Sequence, residues 1–179
     1  MLSIIAIVVI VAIAVAAILL VVAAMKPDTF RVQRTIAVKA PPEKIFPWIN
    51  DFAQWKAWSS YETRDPNMKR TFGATTAGKG ATYEWEGNKN VGHGRMEIAE
   101  STPPSRIVID LHFISPFENR CTAEFTIVPA GGDGTTVTWA MHGKQPFLGR
   151  VMCMFMNMDR MIGTDFETGL ANLKALAEK

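Results

Sequence analysis

Charge is missing from the first 25 of the 179 residues, although the chain contains 19 Lys and Arg and 17 Asp and Glu. Cysteine is scarce as well. Only Cys121 and Cys153 occur, and their spacing matches neither a CxxC motif nor a set of zinc ligands. The net charge of +2 is distributed over both signs and gives no basic stripe of the kind that binds nucleic acid. The sequence therefore predicts neither a disulfide scaffold, nor a zinc module, nor a nucleic-acid partner.

The uncharged N-terminal run predicts a transmembrane anchor. Residues 2–25 are apolar except for Ser3. A helix of this length rises about 36 Å, which exceeds a hydrocarbon core of about 30 Å. A cleaved signal peptide is the alternative because residues 22–24 are small, but the run is longer than usual for such a peptide and no Lys or Arg precedes it. A core helix of this size would normally show a polar stripe, and this run has none.

Basic residues follow the apolar run closely and predict its orientation. Lys26, Arg31, Arg34 and Lys39 are opposed only by Asp28. By the positive-inside rule, the chain after the run is expected on the cytoplasmic side of the membrane.

The chain is expected to divide into an anchor, residues 1–26, and one domain of ordinary globular composition, residues 27–179. Residues 29–38 alternate between apolar and polar side chains and predict a first strand. Two short helices interrupted near Asn50 should follow. Six further segments have a period of two and are separated by short turns, so they predict an antiparallel meander. These segments are residues 68–72, 81–86, 91–100, 106–113, 121–128 and 135–142.

The last part of the chain returns to a helical period. Apolar residues recur every three or four positions from Phe147 to Ala177 and predict one helix of about 30 residues. After a large antiparallel sheet, such a helix is expected to lie across the concave face of the sheet. The predicted fold class is therefore α+β, with a curved meander sheet closed by a long C-terminal helix and preceded by one transmembrane helix.

Strand alternation separates the two faces of the predicted sheet. One face is apolar with a few polar groups, such as Tyr83 and Cys121, and the other holds nearly all titratable side chains. An apolar interior suits an apolar guest better than it suits acid–base chemistry. The predicted ligand-binding residues are Tyr83, Trp85, Ile109, Phe125, Trp139, Met141, Phe155 and Met158.

Three histidines, His93, His112 and His142, lie on different strands of the polar face. They could hold a metal together with a nearby carboxylate, but solvated surface histidines are the simpler interpretation. Residues 92–97 begin like a dinucleotide fingerprint but lack its third glycine. The sequence therefore predicts no cofactor and no metal site.

Methionine is concentrated late in the chain, with six of the ten between residues 141 and 161. Ordinary core filling and an adaptable surface for varied apolar ligands are both consistent with this cluster. Phe147, Met152 and Met156 extend beyond a single helical stripe, so part of this segment could contact a membrane or form a lid.

Residues 40–59 resemble the opening signature of a known family. The motifs Pro41-x-Glu43-x-Ile45-Phe46 and Trp55-x-x-Trp58-Ser59 are similar to those of the polyketide cyclase/dehydrase and lipid-transport-like family in the SRPBCC, or START-like, superfamily. The resemblance spans roughly residues 29–178 and implies a helix-grip fold. It also implies a deep apolar cavity that binds lipids, sterols or polyketide-like molecules. A fold does not fix a reaction, and no catalytic motif of the family can be carried over to this sequence.

Three functions are compatible with the sequence. A membrane-anchored binding protein is favoured, because few polar groups project into the predicted cavity. A cyclase- or aromatase-like enzyme, with Tyr83 orienting a carbonyl, would need Glu84, Glu124 or His112 turned inward. A protein-interaction module, like the co-chaperone relatives of this fold, would need the apolar side chains of residues 147–156 to be exposed.

Overall fold

The structure is a computed structural model that describes residues 2–179. The chain divides into two compact units. One unit contains the chain up to Phe30 together with Lys144–Met158. The other contains Arg31–Gly143 together with Asp159–Lys179 and holds most of the sheet.

The apolar run forms helix α1, Leu2–Met25, as predicted. Within it, Ile4–Met25 is long and apolar enough to cross a membrane. Of its side chains from Ile4 onward, only that of Ala23 is buried. Pro27 follows two residues after the end of the helix, where it prevents continuation.

Seven strands form one antiparallel sheet. They are β1 (Thr29–Val38), β2 (Lys69–Phe72), β3 (Thr82–Glu86), β4 (His93–Thr102), β5 (Arg106–Ser115), β6 (Asn119–Pro129) and β7 (Thr135–Lys144). Their spatial order is β1-β7-β6-β5-β4-β3-β2. The six later strands therefore form the predicted meander, and β1 lies beside β7. All seven predicted strands are confirmed, and their ends lie within two residues of the predicted ends.

The predicted inner and outer faces of the sheet are also confirmed. Across neighbouring strands, Tyr83 pairs with Met96, Met96 with Leu111, and Leu111 with Cys121. Because paired residues share a face, these side chains form one row on the inner side.

Short helical elements follow β1. Helix α2 (Pro42–Asn50) and a 3-10 turn (Phe52–Ala57) confirm the two predicted short helices. Asp51 separates them and accepts a hydrogen bond from the backbone N–H of Ala53 at 3.0 Å. Helix α3 (Ser60–Arg64) was not predicted, since five residues are too few to show a helical period.

Two indole groups fix the 3-10 turn against α2. Trp55 Nε1 donates to the carbonyl of Ile49, and Trp58 Nε1 donates to the carbonyl of Trp48, each at 2.9 Å. Both rings are buried, as expected for core residues. Satisfying each indole N–H allows these large side chains to be buried at low cost.

The prediction of one helix over residues 147–177 is wrong. The segment forms α4 (Phe147–Met152), six residues long, and α5 (Met158–Ala177), twenty residues long. Asn157 precedes α5 and Asp159 lies in its first turn, which are the residue types favoured at a helix start. A new helix therefore begins here, although the spacing of apolar residues continues across the break.

Helix α5 packs its apolar stripe on the inner face of the sheet. Phe166 of α5 stacks on Trp139 of β7, with ring centroids 4.0 Å apart. At Gly169 the helix approaches the same indole so closely that an added Cβ would lie 3.0 Å from Trp139 Cζ3. A glycine at this position allows the helix to close the sheet.

Candidate functional site

A cavity of about 180 Å³ lies on the inner face of the sheet. The sheet contributes Tyr83, Trp85, Met96, Leu111, Trp139 and Met141 to its wall. The helical side contributes Trp55, Tyr61, Glu62 and Phe166. The wall is therefore aromatic and thioether-rich, with a small polar region.

The cavity volume limits the size of a guest. About 180 Å³ is close to the roughly 150 Å³ of an apolar protein cavity that binds benzene. It is smaller than the roughly 300–1,000 Å³ of sites that enclose drug-sized ligands. In this conformation the cavity fits one or two rings, or the end of a longer acyl chain.

The structure places half of the predicted ligand-binding residues at the cavity. Tyr83, Trp85, Trp139 and Met141 are part of its wall. Ile109 and Phe125 are fully buried on the same face of the sheet but do not contribute to the wall. Phe155 and Met158 lie in the unit that contains α1, where Phe155 is 71 % exposed. The ligand-binding role of all eight residues stays a prediction.

A buried carboxylate, Glu62 of α3, organises the polar region of the cavity. Tyr83 Oη donates a hydrogen bond to Glu62 Oε1 at 2.6 Å. Arg70 Nε donates to Glu62 Oε2 at 2.7 Å, and Arg70 Nη1 donates to the carbonyl of Met68 at 2.6 Å. Glu62 is only 7 % exposed, so its charge is balanced by the guanidinium rather than by water.

Sequence reasoning missed Glu62 because it lies in a short polar stretch that looks like a surface loop. One signal was available. Ser59 and Glu62 have the Ser-x-x-Glu spacing that marks a helix start, and Ser59 is indeed the residue that precedes α3. No side-chain capping bond forms there, and Glu62 instead faces the cavity.

Burial controls the protonation of the polar groups on the inner face. The pKa of Tyr83 is raised above its usual value by burial and, next, by its hydrogen bond to Glu62. Burial and the negative charge of Asp165 raise the pKa of Tyr61. Burial raises the pKa of the Cys121 thiol to about 12. At neutral pH the two phenols are therefore hydrogen-bond donors, and the thiol is not a nucleophile.

Trp139 has an unsatisfied donor. Its Nε1 is buried and has no hydrogen-bond partner, and the residue is 3 % exposed. The ring is held by stacking on Phe166 at 4.0 Å and on Phe125 at 5.0 Å. A buried N–H without a partner costs about 1–3 kcal/mol, and here it occurs on a residue of the cavity wall.

The histidines and carboxylates of the strands, which a catalytic site on the sheet would use, lie on the outer face. His93 Nε2 lies 3.1 Å from Glu84 Oε1, and Arg106 Nε donates to Glu124 Oε1 at 2.7 Å. His112 Nε2 lies 3.1 Å from Oε1 of Glu118, an exposed residue of the loop between β5 and β6. Among the residues that the structure describes, no group of three or more His, Cys, Asp and Glu side chains is placed to hold a metal ion.

Comparison with protein families gives one match. The model described as "Polyketide cyclase / dehydrase and lipid transport" matches residues 29–178, which cover the sheet and the helices that close it. A comparison with curated protein sequences found no match.

Several solved structures are similar to the chain. A crystal structure from Chromobacterium violaceum has 17 % identity and a TM-score of 0.59, covering 86 % of this chain and 99 % of its own. A solution structure from Thermobifida fusca has 21 % identity and a TM-score of 0.60, with coverages of 80 % and 90 %. The di-domain ARO/CYC protein StfQ from the steffimycin biosynthetic pathway has 13 % identity and a TM-score of 0.63. The match covers 84 % of this chain and 51 % of StfQ, so the chain spans about half of that protein. At these identities the similarity shows a shared fold.

Proposed function

Because the chain belongs to the polyketide cyclase/dehydrase and lipid transport family, we propose that it binds a hydrophobic small molecule, such as a lipid, a sterol or a polyketide-like compound. The cavity between the sheet and α5 carries the proposal, since its wall is mainly aromatic and methionine side chains. Burying about 200 Å² of apolar ligand surface would contribute about 5 kcal/mol at about 25 cal/mol per Å². Such affinity needs no catalytic group.

The polar atoms of the wall favour a ligand that carries an oxygen acceptor. Each oxygen of Glu62 already accepts one hydrogen bond, from Tyr83 or from Arg70, whereas Trp139 Nε1 is unpaired. A carbonyl or hydroxyl oxygen of the guest near Trp139 would remove the cost of the orphaned N–H. A pure hydrocarbon would leave that cost in place.

The ligand-binding proposal is tested by filling the cavity. Ala123 is part of the wall and is 4 % exposed, so Ala123→Phe should occupy the space of the guest. Thr122→Phe, on the outer face of the same strand, is the matched control. We expect organic extraction and mass spectrometry to find a co-purifying lipid or polyketide-sized molecule with the wild type and Thr122→Phe, and none with Ala123→Phe. Equal recovery from all three chains would contradict the proposal.

The oxygen acceptor is tested with Trp139→Phe, which keeps an aromatic ring beside Phe166 and removes the N–H. Two aromatic ligands of the same shape, with and without a carbonyl, are titrated into both chains. We expect the carbonyl ligand to lose about tenfold in affinity, because one net hydrogen bond is worth about 1 kcal/mol or more. The hydrocarbon should bind both chains alike.

We further propose that α1 anchors the protein in a membrane as a single span, with the domain on the cytoplasmic side. The supporting features are the length and apolar composition of Ile4–Met25 and the basic residues that follow it, Lys26, Arg31 and Arg34. Retention in the membrane pellet after carbonate extraction is expected. Digestion of the domain by protease added outside intact cells would contradict the orientation.

A cyclase-like activity is the second candidate, and the 2.6 Å contact between Tyr83 and Glu62 favours it. In an intramolecular aldol cyclisation, Glu62 would take a proton from a methylene group between two carbonyls, and Tyr83 would protonate the new alkoxide. Their hydrogen bond would then return the proton from Glu62 to Tyr83.

The cyclase candidate is tested with a linear polyketone. Conversion to a ring by the wild type and by Glu84→Gln, an outer-face control, but not by Glu62→Gln, would support it. No conversion by any chain would leave the binding function.

A further inference from the structure

An apolar surface lies outside the cavity, in the segment Lys144–Met158. Five large apolar side chains are exposed within ten residues: Phe147, Leu148, Met152, Phe155 and Met156. Leu148 is 64 % exposed and Phe155 is 71 % exposed. On soluble proteins, large exposed apolar patches usually mark interaction sites. The exposure that an interaction surface requires is therefore present.

Hydrogen bonds hold this segment at the C-terminal end of α1. Arg150 Nη1 donates to the carbonyls of Ala24 and Lys26 at 3.3 and 3.2 Å. The backbone N–H of Gln145 donates to the carbonyl of Asp28 at 2.6 Å. Carbonyls at a helix C-terminus lack intrahelical partners and carry partial negative charge, so a guanidinium is a favourable partner there.

The segment and the end of α1 combine apolar and cationic groups. Lys26, Lys144 and Arg150 provide three positive charges in this unit, and Asp28 provides one negative charge. The Arg150 guanidinium also lies 5.4 Å from the centroid of the Phe147 ring. Short helices with exposed apolar side chains and flanking basic residues bind at the boundary between acyl chains and anionic headgroups.

We propose that the segment Lys144–Met158 inserts its apolar side chains into the interfacial layer of the bilayer that α1 crosses. This inference rests on the proposed anchoring by α1 and adds a second membrane contact to it. The occupant is phospholipid rather than protein, because the exposed group adjoins the end of the apolar helix, where acyl chains give way to headgroups. Leu148 and Phe155, the most exposed of the five, should enter the layer most deeply.

The test uses the full chain reconstituted into vesicles of phosphatidylcholine and phosphatidylglycerol. Cys153→Ala removes the partly exposed thiol, and Cys121 is buried and stays unlabelled. Leu148→Cys and Phe155→Cys are each labelled with an environment-sensitive fluorophore. Val11→Cys in α1 reports on the anchor, and Phe117→Cys, at an exposed aromatic residue of the other unit, is the matched control.

We expect blue-shifted emission at positions 148, 155 and 11, with quenching of about twofold or more by lipids that carry a spin label on the acyl chain. Position 117 should show water-like, unquenched emission. Water-like emission at 148 and 155 with quenching at 11 would overturn the inference and leave the anchor intact. Blue-shifted but unquenched emission at 148 and 155 would indicate cover by protein and would also overturn it. Absence of quenching at position 11 would overturn both the anchor and the inference.

Discussion

At the scale of single residues, Glu62 holds the polar part of the cavity wall together. It accepts hydrogen bonds from Tyr83 at 2.6 Å and Arg70 at 2.7 Å, and its side chain is 6 % exposed. Removing one member of such a buried group leaves the others desolvated and incompletely paired. The cluster therefore couples the shape of the cavity wall to the stability of the fold.

Glu62→Gln should destabilise the protein by about 2–3 kcal/mol, because Arg70 loses its balancing charge while it remains largely buried. The free energy of unfolding from denaturant titration measures this effect. Glu84→Gln, at an exposed carboxylate, should change stability by less than about 0.5 kcal/mol. Equal effects of the two substitutions would show that Glu62 contributes no more than a surface group.

The two tyrosines of the chain, Tyr61 and Tyr83, predict a loss of stability in alkali. Both have raised pKa values in the folded state, chiefly because of burial. The folded protein therefore holds these protons more tightly than the unfolded chain. The extra free energy of unfolding that the two protonated phenols provide is fully present below the pKa of the unfolded chain, about 10. It should be lost as the pH rises above that value.

Phenolate absorbance and far-UV circular dichroism measure this alkaline transition. We expect both signals to change together, because the phenols should ionise only when the fold opens. Tyr83→Phe should retain more of its stability above pH ~10 than the wild type, since it lacks one of the linked protons. Reversible phenolate formation in a protein with unchanged circular dichroism would contradict the prediction.

Sequence reasoning placed some of these residues and missed others for a physical reason. Tyr83 and Trp139 were placed on the inner face because strand alternation fixes the direction of each side chain. Glu62 was missed because α3 is too short to show a period and its inward direction depends on tertiary packing. Phe155 was expected at the cavity from a helical period that does not continue through residue 157.

At the scale of elements, the contact between α5 and β7 determines how tightly the sheet is closed. Gly169 brings the helix backbone against Trp139, which is stacked between Phe166 and Phe125. The indole has rings on both sides and little freedom to move away. The position therefore favours glycine despite its low helix propensity.

Gly169→Ala should destabilise the protein by about 1 kcal/mol, since the cost of overlap with the indole exceeds the gain of about 1 kcal/mol in helix propensity. Thermal unfolding measures the change. Thr168→Ala, the exposed neighbour on the same helix, is the control and should be neutral or slightly stabilising. A higher melting temperature for Gly169→Ala would mean that Trp139 can move aside.

The strands were easier to predict than the helices. A period of two is visible in five to ten residues, and the short turns between the strands left antiparallel pairing as the available arrangement. The end of α4 and the start of α5 depend on local signals such as Asn157 and Asp159, which an apolar period hides. This difference explains why the sheet was predicted nearly to its ends and the final helix was not.

At the scale of the whole molecule, the exposed apolar segment predicts membrane binding beyond the N-terminal helix. A chain that starts at residue 27 lacks the Ala24 and Lys26 carbonyls that Arg150 contacts but keeps all five exposed apolar side chains, so it should still float with vesicles that contain phosphatidylglycerol. Replacing both Leu148 and Phe155 with Ser should weaken this binding by about thirtyfold, since each inserted side chain would contribute about 1 kcal/mol. Phe117→Ser, at an exposed residue of the other unit, should have no effect.

The flotation assay also separates charge from apolar insertion. Added salt should weaken vesicle binding only partly, because it screens Lys144 and Arg150 but leaves the apolar contribution. Complete release by moderate salt would contradict a role for Leu148 and Phe155.

The short connection between α1 and β1 limits how the protein can move in an anchored state. Only residues 26–28 separate the two elements, and three extended residues span about 10 Å. If α1 anchors the protein as proposed, so short a connection would confine it to one membrane, and it could not carry a ligand to a second one. The occupancy of an anchored protein would then follow the amount of ligand that reaches its own membrane. Exchange of the ligand between two membranes would then need a second, unanchored carrier.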